Sequence, residues 1–325
     1  KAPLGNAAEY ITKLYTNAEK TTVTNNSITY NVASSVGLMN DRLGSSSVDA
    51  DSGNIRYYGA EPNNYIYFNC SDYSNQSDSA CETWRIIGVF EGKVKIMRGS
   101  TIGSYSWDNK DKSSAYGKND WTYARLMKLL NPNSTGTGGS LYWNAKSGSC
   151  YSGQYNGTTP CDFTSTGIKN SATRNLISDT LYYLGGWNSS EIYSDQIYGY
   201  ERGTTVYSGR PTTWTGKIAL AYPSDYGYAV DLGSCTQTLW YYDNSTCTST
   251  NWMKPILGTS SWGWLLTSSS SNSNYTWKVS SLGRVNINSY TCFDSGVVPV
   301  LYLSPELEIG SGTGTSSDPY RLSVS

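Results

Sequence analysis

Histidine is absent from all 325 residues. Imidazole is the commonest general base and the commonest transition-metal ligand, so its absence argues against a hydrolase or a zinc enzyme. Charge is scarce as well: 15% of residues carry one, and the formal net charge is −1. A nucleic-acid binder needs a basic patch or stripe, and no nucleic-acid partner is expected. Long apolar runs are missing, and none approaches the roughly 20 residues a membrane-spanning helix requires. No membrane span is therefore expected within the chain. It opens at Lys1 with neither Met nor a signal-like segment, which leads us to expect a mature or trimmed product. Glycine-rich stretches such as Gly136-Thr137-Gly138-Gly139 lack the Lys-Ser/Thr pair of a phosphate loop. No cofactor is expected.

What is present is aromatic and polar at once. The chain carries 29 Tyr and 11 Trp among many Ser, Asn and Thr, and these rings serve equally as core or as contact surface. Its length suffices for a substantial core in one large domain or two ordinary ones. Of the 7 cysteines, six form close pairs around Ser/Asn-rich loops: Cys70/Cys81, Cys150/Cys161 and Cys235/Cys247. Sequence alone does not choose among the pairings of six cysteines. The repeated spacing favours three local bridges, with free buried thiols as the alternative. Disulfides imply an oxidising, extracellular setting, hence a secreted or cell-surface protein. Without CxxC spacing or histidine, metal binding is not expected. Cys292 is left over.

Asn6-Ala7-Ala8-Glu9 has the form of a capping box, and apolar residues at Ala7, Ile11, Leu14, Tyr15 and Ala18 predict an amphipathic helix over 7–20. A short helix is expected around Val36–Leu43. Strands are expected over Ile55–Tyr58, Tyr65–Asn69, Trp84–Phe90 and Val94–Arg98, with Glu91-Gly92 as a hairpin turn. Helices are predicted over Asp120–Leu130, stopped by Asn131-Pro132, and over Ser171–Leu184, closed by Gly185-Gly186. A further turn or helix is placed at 189–200 and a strand at Lys217–Ala221. Strands and helices are interspersed without βαβ alternation, which favours an α+β fold. The division expected is a lead-in over 1–53, a binding domain over 54–305 and a tail over 306–325.

Glu61-Pro62-Asn63 matches the tripeptide with which calcium-dependent lectins hold sugar hydroxyls. Calcium needs six to eight converging oxygens, and no Trp-Asn-Asp partner follows at suitable spacing, so the expected reading is a plain turn. Asp108, Asp111 and Asp120 among Lys110, Lys112 and Lys118 read as a solvated charged loop. Nothing points to a carboxylate pair for glycoside hydrolysis.

Two apolar segments, Trp262–Thr267 and Gly296–Leu303, bracket a tract of a different texture. Their short aromatic and β-branched runs fit a pleated, half-buried surface. Between them, Ser268–Ser295 is mostly Ser, Asn, Thr and Tyr, the mixture of adaptable binding surfaces. Trp277–Ser280, a turn at Leu282-Gly283 and Arg284–Ile287 predict a hairpin within it. A solvent-exposed hairpin without a partner is the plainer alternative.

Trp264-Leu265-Leu266, the hairpin with Gly283 and Val285, and Gly296-Val297-Val298-Pro299-Val300-Leu301-Tyr302-Leu303 resemble the C-terminal signature of C-type-lectin-fold proteins. The resemblance is to the variable proteins diversified by retroelements, which share that fold with formylglycine-generating enzymes. Tyr57-Tyr58-Gly59, Asn63-Asn64-Tyr65-Ile66 and Trp84-Arg85-Ile86-Ile87 resemble surface proteins of gut Firmicutes that carry this ending. The likeness spans roughly 54–305 and is specific over 262–303. It implies an elaborated C-type-lectin-like domain of antiparallel sheets, a few helices and long disulfide-tied loops. In that family a reverse transcriptase mutates adenines, turning Asn codons into Ser, Tyr, Thr, Asp, Cys or Phe, never Trp or Lys. By this resemblance the ligand-binding positions are Ser268, Ser270, Asn272, Asn274, Tyr275, Asn286, Asn288, Tyr290, Cys292, Phe293 and Asp294, with Trp277 and Lys278 as scaffold. Val298 departs from the family, where Arg often precedes the proline. A lone Cys292 does not supply the enzyme cousin's redox pair, so no oxidase activity carries over.

The expectation is an extracellular protein that binds without catalysis, taking a protein or glycan on another cell or particle. A pilus or filament subunit, self-assembling through helix 7–20, and a carbohydrate-active enzyme are the alternatives.

Overall fold

The computed structural model describes residues 2–43, 53–109 and 116–324. Lys110, Asp111 and Lys112 of the charged loop lie outside the described residues, as do 44–52 of the lead-in. The architecture is α+β, rich in sheet and short of helix.

A nine-stranded sheet forms the body. Its order is Ile218–Ala219, Val300–Tyr302, Lys93–Arg98, Glu82–Phe90, Ile55–Tyr57, Leu38–Asn40, Ile28–Ala33 and Thr21–Asn25, with Tyr65–Phe68 pairing Glu82–Phe90 from the side. All its pairs are antiparallel. The Glu91-Gly92 turn has positive φ at both residues, 49° and 75°, as a two-residue primed hairpin turn requires. The Ala7–Asn17 helix starts where Asn6 Oδ1 accepts from the amides of Ala8 and Glu9, and it buries Ile11 and Tyr15. Lead-in, middle and tail share one core: Thr21–Asn25 through Leu38–Asn40 extend the main sheet. The tail strands Glu308–Ser311 and Arg321–Ser323 pair with each other, and Glu308–Ser311 also pairs with Gly5–Asn6.

A second, five-stranded sheet runs Val285–Tyr290, Tyr275–Ser280, Trp262–Ser268, Asp294–Gly296 and Ser104–Ser106. The two bracketing segments therefore meet: Gly263 pairs with Gly296 in parallel, and Val300–Tyr302 continues into the main sheet. Trp264, Leu265, Leu266, Val297, Val298, Leu301 and Leu303 are all buried, which makes the brackets scaffold.

Three expected elements differ. No helix occupies Val36–Leu43; a single 3-10 turn at Ser34–Val36 ends on Gly37 in the left-handed region, and Leu38–Asn40 is strand. Asp120–Leu130 splits into a 3-10 turn, Trp121–Tyr123, and a helix, Arg125–Leu130, because Ala124 is extended. Ser171–Leu184 is helical only to Asn175; Thr180–Tyr183 is a strand pairing Thr213–Gly216. There the period-two alternation of exposed Leu181 and buried Tyr182 overrides the apolar spacing that looked helical.

Charges are few but several are buried together. Arg56 Nε lies 2.7 Å from Asp41, and its Nη1 lies 3.1 Å from Asp225. Lys95 Nζ is 2.6 Å from the other Asp225 oxygen. All four side chains are sealed from solvent. Burial opposes the charge on Asp225, but Lys95 and Arg56 outweigh it and hold its carboxyl below the usual range. Glu201, beside them, accepts from the amide and hydroxyl of Ser224, and burial pushes it up to about 7. This network fastens the helices Ser194–Glu201 and Pro223–Tyr228 to the main sheet.

The three bridges are Cys70–Cys81, Cys150–Cys161 and Cys235–Cys247. The second ties the hairpin of Ser147–Tyr151 and Thr158–Asp162.

Candidate functional site: an aromatic platform at the end of the five-stranded sheet

The tract is built around strand alternation. Along Val285–Tyr290, Val285, Ile287 and Ser289 point inward while Asn286, Asn288 and Tyr290 do not. On the neighbouring strand Trp277 and Val279 are fully buried. Asn288 is exposed, and Asn286 and Tyr290 are half-buried.

At the open end of this hairpin four rings come together. Tyr116 stacks on Tyr290 with centroids 4.1 Å apart and planes 20° from parallel. Tyr275 meets Tyr290 edge-on at 4.9 Å, and Phe293 meets it edge-on at 5.6 Å. Tyr116 is 36% exposed and Phe293 45%. Edge-to-face and offset stacks of this kind are mutually favourable, so the rings form one platform. Beside it, the Asp294 carboxylate accepts from the Ser152 hydroxyl and the Gly153 amide. That contact draws the tip of the Cys150–Cys161 hairpin, with exposed Tyr155, against the platform.

Residues beneath the platform set its shape. Thr291 Oγ1 donates to the Tyr116 carbonyl at 2.6 Å, and Asn274 Nδ2 donates to the Gly117 carbonyl. Together they hold Tyr116 over Tyr290. Buried Asn119 donates to the carbonyls of Ser269, Asn272 and Tyr275, and its own oxygen accepts from Arg210 Nε. It clamps the 268–275 turn by side-chain hydrogen bonds from a distant loop. Asp108, also buried, accepts from the amides of Lys118 and Arg125.

The candidate residues thus divide. Tyr275, Asn288, Tyr290, Phe293 and Asp294 are gathered at or beside the platform. Ser270 is half-buried, and Ser268 Oγ donates to the Asn119 carbonyl. Asn272 Oδ1 accepts from the Asn274 amide, and Asn286 Oδ1 accepts from the Asn288 amide. Each spends its oxygen on its own turn, and Asn274 works beneath the surface. Cys292 does not present itself at all: its side chain is fully buried, and burial pushes the thiol up to about 11. Its placement as a ligand-contacting position is corrected on that ground. Sequence reasoning missed Tyr116 and Asn119, because both reach the tract from another part of the chain. A narrow cleft on the far side of the turn, lined by Asn119, Trp121, Tyr207, Arg210, Ser268 and Ser269, holds about 10 Å³, room for a single water.

Glu61-Pro62-Asn63 forms a turn before Tyr65–Phe68, and the Glu61 carboxylate faces the Tyr65 hydroxyl and Arg85. Among the described residues no three His, Cys, Asp or Glu side chains converge as a metal site would require. No helix among the described residues is long and apolar enough to cross a membrane. Compared with known proteins, the chain matches no family model, no curated protein and no solved structure.

Proposed function

We propose that this protein is an extracellular binding protein whose C-terminal hairpin presents an aromatic platform to a protein or glycan on another cell or particle. The observation that carries the reading is the four-ring cluster of Tyr116, Tyr275, Tyr290 and Phe293, two of them substantially exposed. Rigid rings lose little entropy on contact and anchor interfaces out of proportion to their number. Neighbouring Asn288 and Asp294 supply polar groups at the rim. The three bridges support an oxidising location. A C-type-lectin-like domain with a retroelement-diversified surface is the finer reading. Its support is a hairpin at the sheet edge, paired with the buried bracketing strand Trp262–Ser268, with outward positions drawn from the residues Asn codons can reach.

The test is binding to arrays of glycans and of surface proteins, using the wild type and a Tyr290→Ala/Phe293→Ala variant. The variant should lose about tenfold or more in affinity for whatever the wild type binds. Tyr241→Ala, which removes a 46% exposed ring elsewhere, should leave binding unchanged. Equal binding by the platform variant, with its three bridges formed, would refute the proposal.

A further inference from the structure

Away from the platform, Arg85 is held in an unusual way. Its side chain is 7% exposed, yet among the described residues it has no buried carboxylate as counter-ion. The guanidinium carbon lies 3.7 Å from the centroid of the Tyr65 ring and 5.0 Å from that of Trp252. Nε donates to Asn64 Oδ1 at 2.6 Å, and that fully buried amide is in turn fixed by the Ile86 carbonyl. Nη2 reaches the Pro62 carbonyl at 3.4 Å and Glu61 at 3.5 Å. Nη1 makes no hydrogen bond to the described residues. Among the described residues Glu61 is its ion-pair partner, and that carboxylate is 66% exposed, so the pair is weakened by solvent. Burial accordingly pulls the Arg85 guanidinium below its ordinary range, against the opposing influence of Tyr65 and Glu61.

Arg85 also lines a groove of about 340 Å³, together with Tyr65, Glu82, Thr83, Arg98 and Ser100. That is within the size of small-molecule sites. Glu82 is already committed, accepting from Arg98 Nε and Nη2. Arg98 in turn spends Nη1 on Ser100 and Thr101. The pair is self-neutralising, which leaves the Nη1 group of Arg85 as the groove's unspent cationic donor among the described residues. Its Nη1 can donate to a carboxylate, and the two rings already hold the guanidinium in place.

We infer that this groove binds an acidic sugar, its carboxylate on Arg85, with Glu61 as a resident competitor. The hydroxyls of Tyr65, Thr83 and Ser100 give the sugar ring polar neighbours, and the Tyr65 and Trp252 faces keep the arginine in place. The Glu61-Pro62-Asn63 turn then acts through its carboxylate on an arginine, without calcium. The inference is independent of the aromatic platform, since none of these residues belongs to it.

Titration of the protein with sodium glucuronate, followed by the side-chain ¹⁵N signals of its arginines and by calorimetry, tests this. Saturable binding that shifts the Arg85 signal is expected, and glucose should give none. Glu61→Gln, a change at an exposed position, should tighten glucuronate binding several-fold by removing the competitor. Arg85→Met should abolish it, and Tyr290→Ala should leave it intact. Absence of saturable binding in both wild type and Glu61→Gln overturns the inference. So does glucose binding as well as glucuronate, or Glu61→Gln weakening the affinity.

Discussion

Lys278 offers the sharpest physical test of the tract. It sits on the central hairpin strand, opposite Trp264 on one side and Asn286 on the other, and is only 8% exposed. Its amine lies 4.0 Å from the Trp262 ring centroid and 5.7 Å from that of Trp264. Among the described residues it has no carboxylate partner. Burial alone lowers its pKa from 10.5 to about 8. At about 1.4 kcal/mol for each factor of ten, that is a ceiling of roughly 3 kcal/mol against the charged form. Solvent reaching the amine screens part of it, leaving about 1–2 kcal/mol. The ring contacts return about 0.5–1 kcal/mol.

Lys278→Met keeps the stem and removes the charge. At pH 7 it should raise stability by about 1 kcal/mol, or roughly 1–2 °C in Tm for a chain of this length. The sign of the pH dependence follows from the depressed folded pKa. Between about 8 and 10.5 the unfolded chain binds the proton and the folded chain does not, so wild-type stability rises with pH. The advantage of the methionine variant should therefore shrink from pH 7 to pH 9.5, as read by thermal unfolding across that range. A variant less stable than wild type at pH 7, or a difference that does not change with pH, would refute the reasoning. Either would mean that the rings hold the amine more strongly than burial penalises it.

Three further outcomes follow from the packing. Replacing both cysteines of any one bridge with serine should cost about 3 kcal/mol, by the chain-entropy estimate for loops of 11 or 12 residues. In the same protein, Cys292 should resist alkylation until denaturant is added, as mass spectrometry would show. Asp225→Ala strips the shared partner from Lys95 and Arg56 and should cost about 3–5 kcal/mol in denaturant unfolding; a loss below about 1 kcal/mol would show that water replaces the carboxylate.

Much of the sheet framework was legible because it is written locally. Aromatic and β-branched runs marked Ile55–Tyr57, Tyr65–Phe68, Glu82–Phe90 and Lys93–Arg98. The paired cysteine spacing marked the bridges. Thr180–Tyr183 was not legible, since its leucine and tyrosines also fit a helical period and only its partner, Thr213–Gly216, decides the matter. The buried ion network was beyond reach for the same reason. Asp41, Arg56, Lys95, Glu201 and Asp225 are ordinary surface residue types in sequence, and the fold alone brings them together. At the site, the sequence located the hairpin, but its texture of Ser, Asn and Tyr did not separate contact from support. Asn274 and Asn288 look alike on paper; one holds the backbone of Gly117 and the other stands in solvent.

That distinction bears on how such a surface can change without loss of the fold. Substitution is tolerated where a side chain neither fills the core nor completes a buried hydrogen bond. Asn288 and Phe293 meet that condition, and Asn286 and Asp294 meet it in part, since Asn286 accepts from the Asn288 amide and Asp294 from Ser152 and Gly153 of the neighbouring hairpin. Asn274, Thr291 and Cys292 do not. The first two hold Tyr116 over Tyr290, and the third is enclosed beside Ser106, whose hydroxyl donates to its carbonyl at 2.6 Å. Changing them would move the platform, whereas changing the outer residues would alter only its chemistry. A wide tract of adaptable residue types thus reduces to a narrow set of positions where substitution spares the fold. The platform is held from outside the tract, by Asn119 and the 116–117 backbone, so its shape depends on residues far from it in the chain.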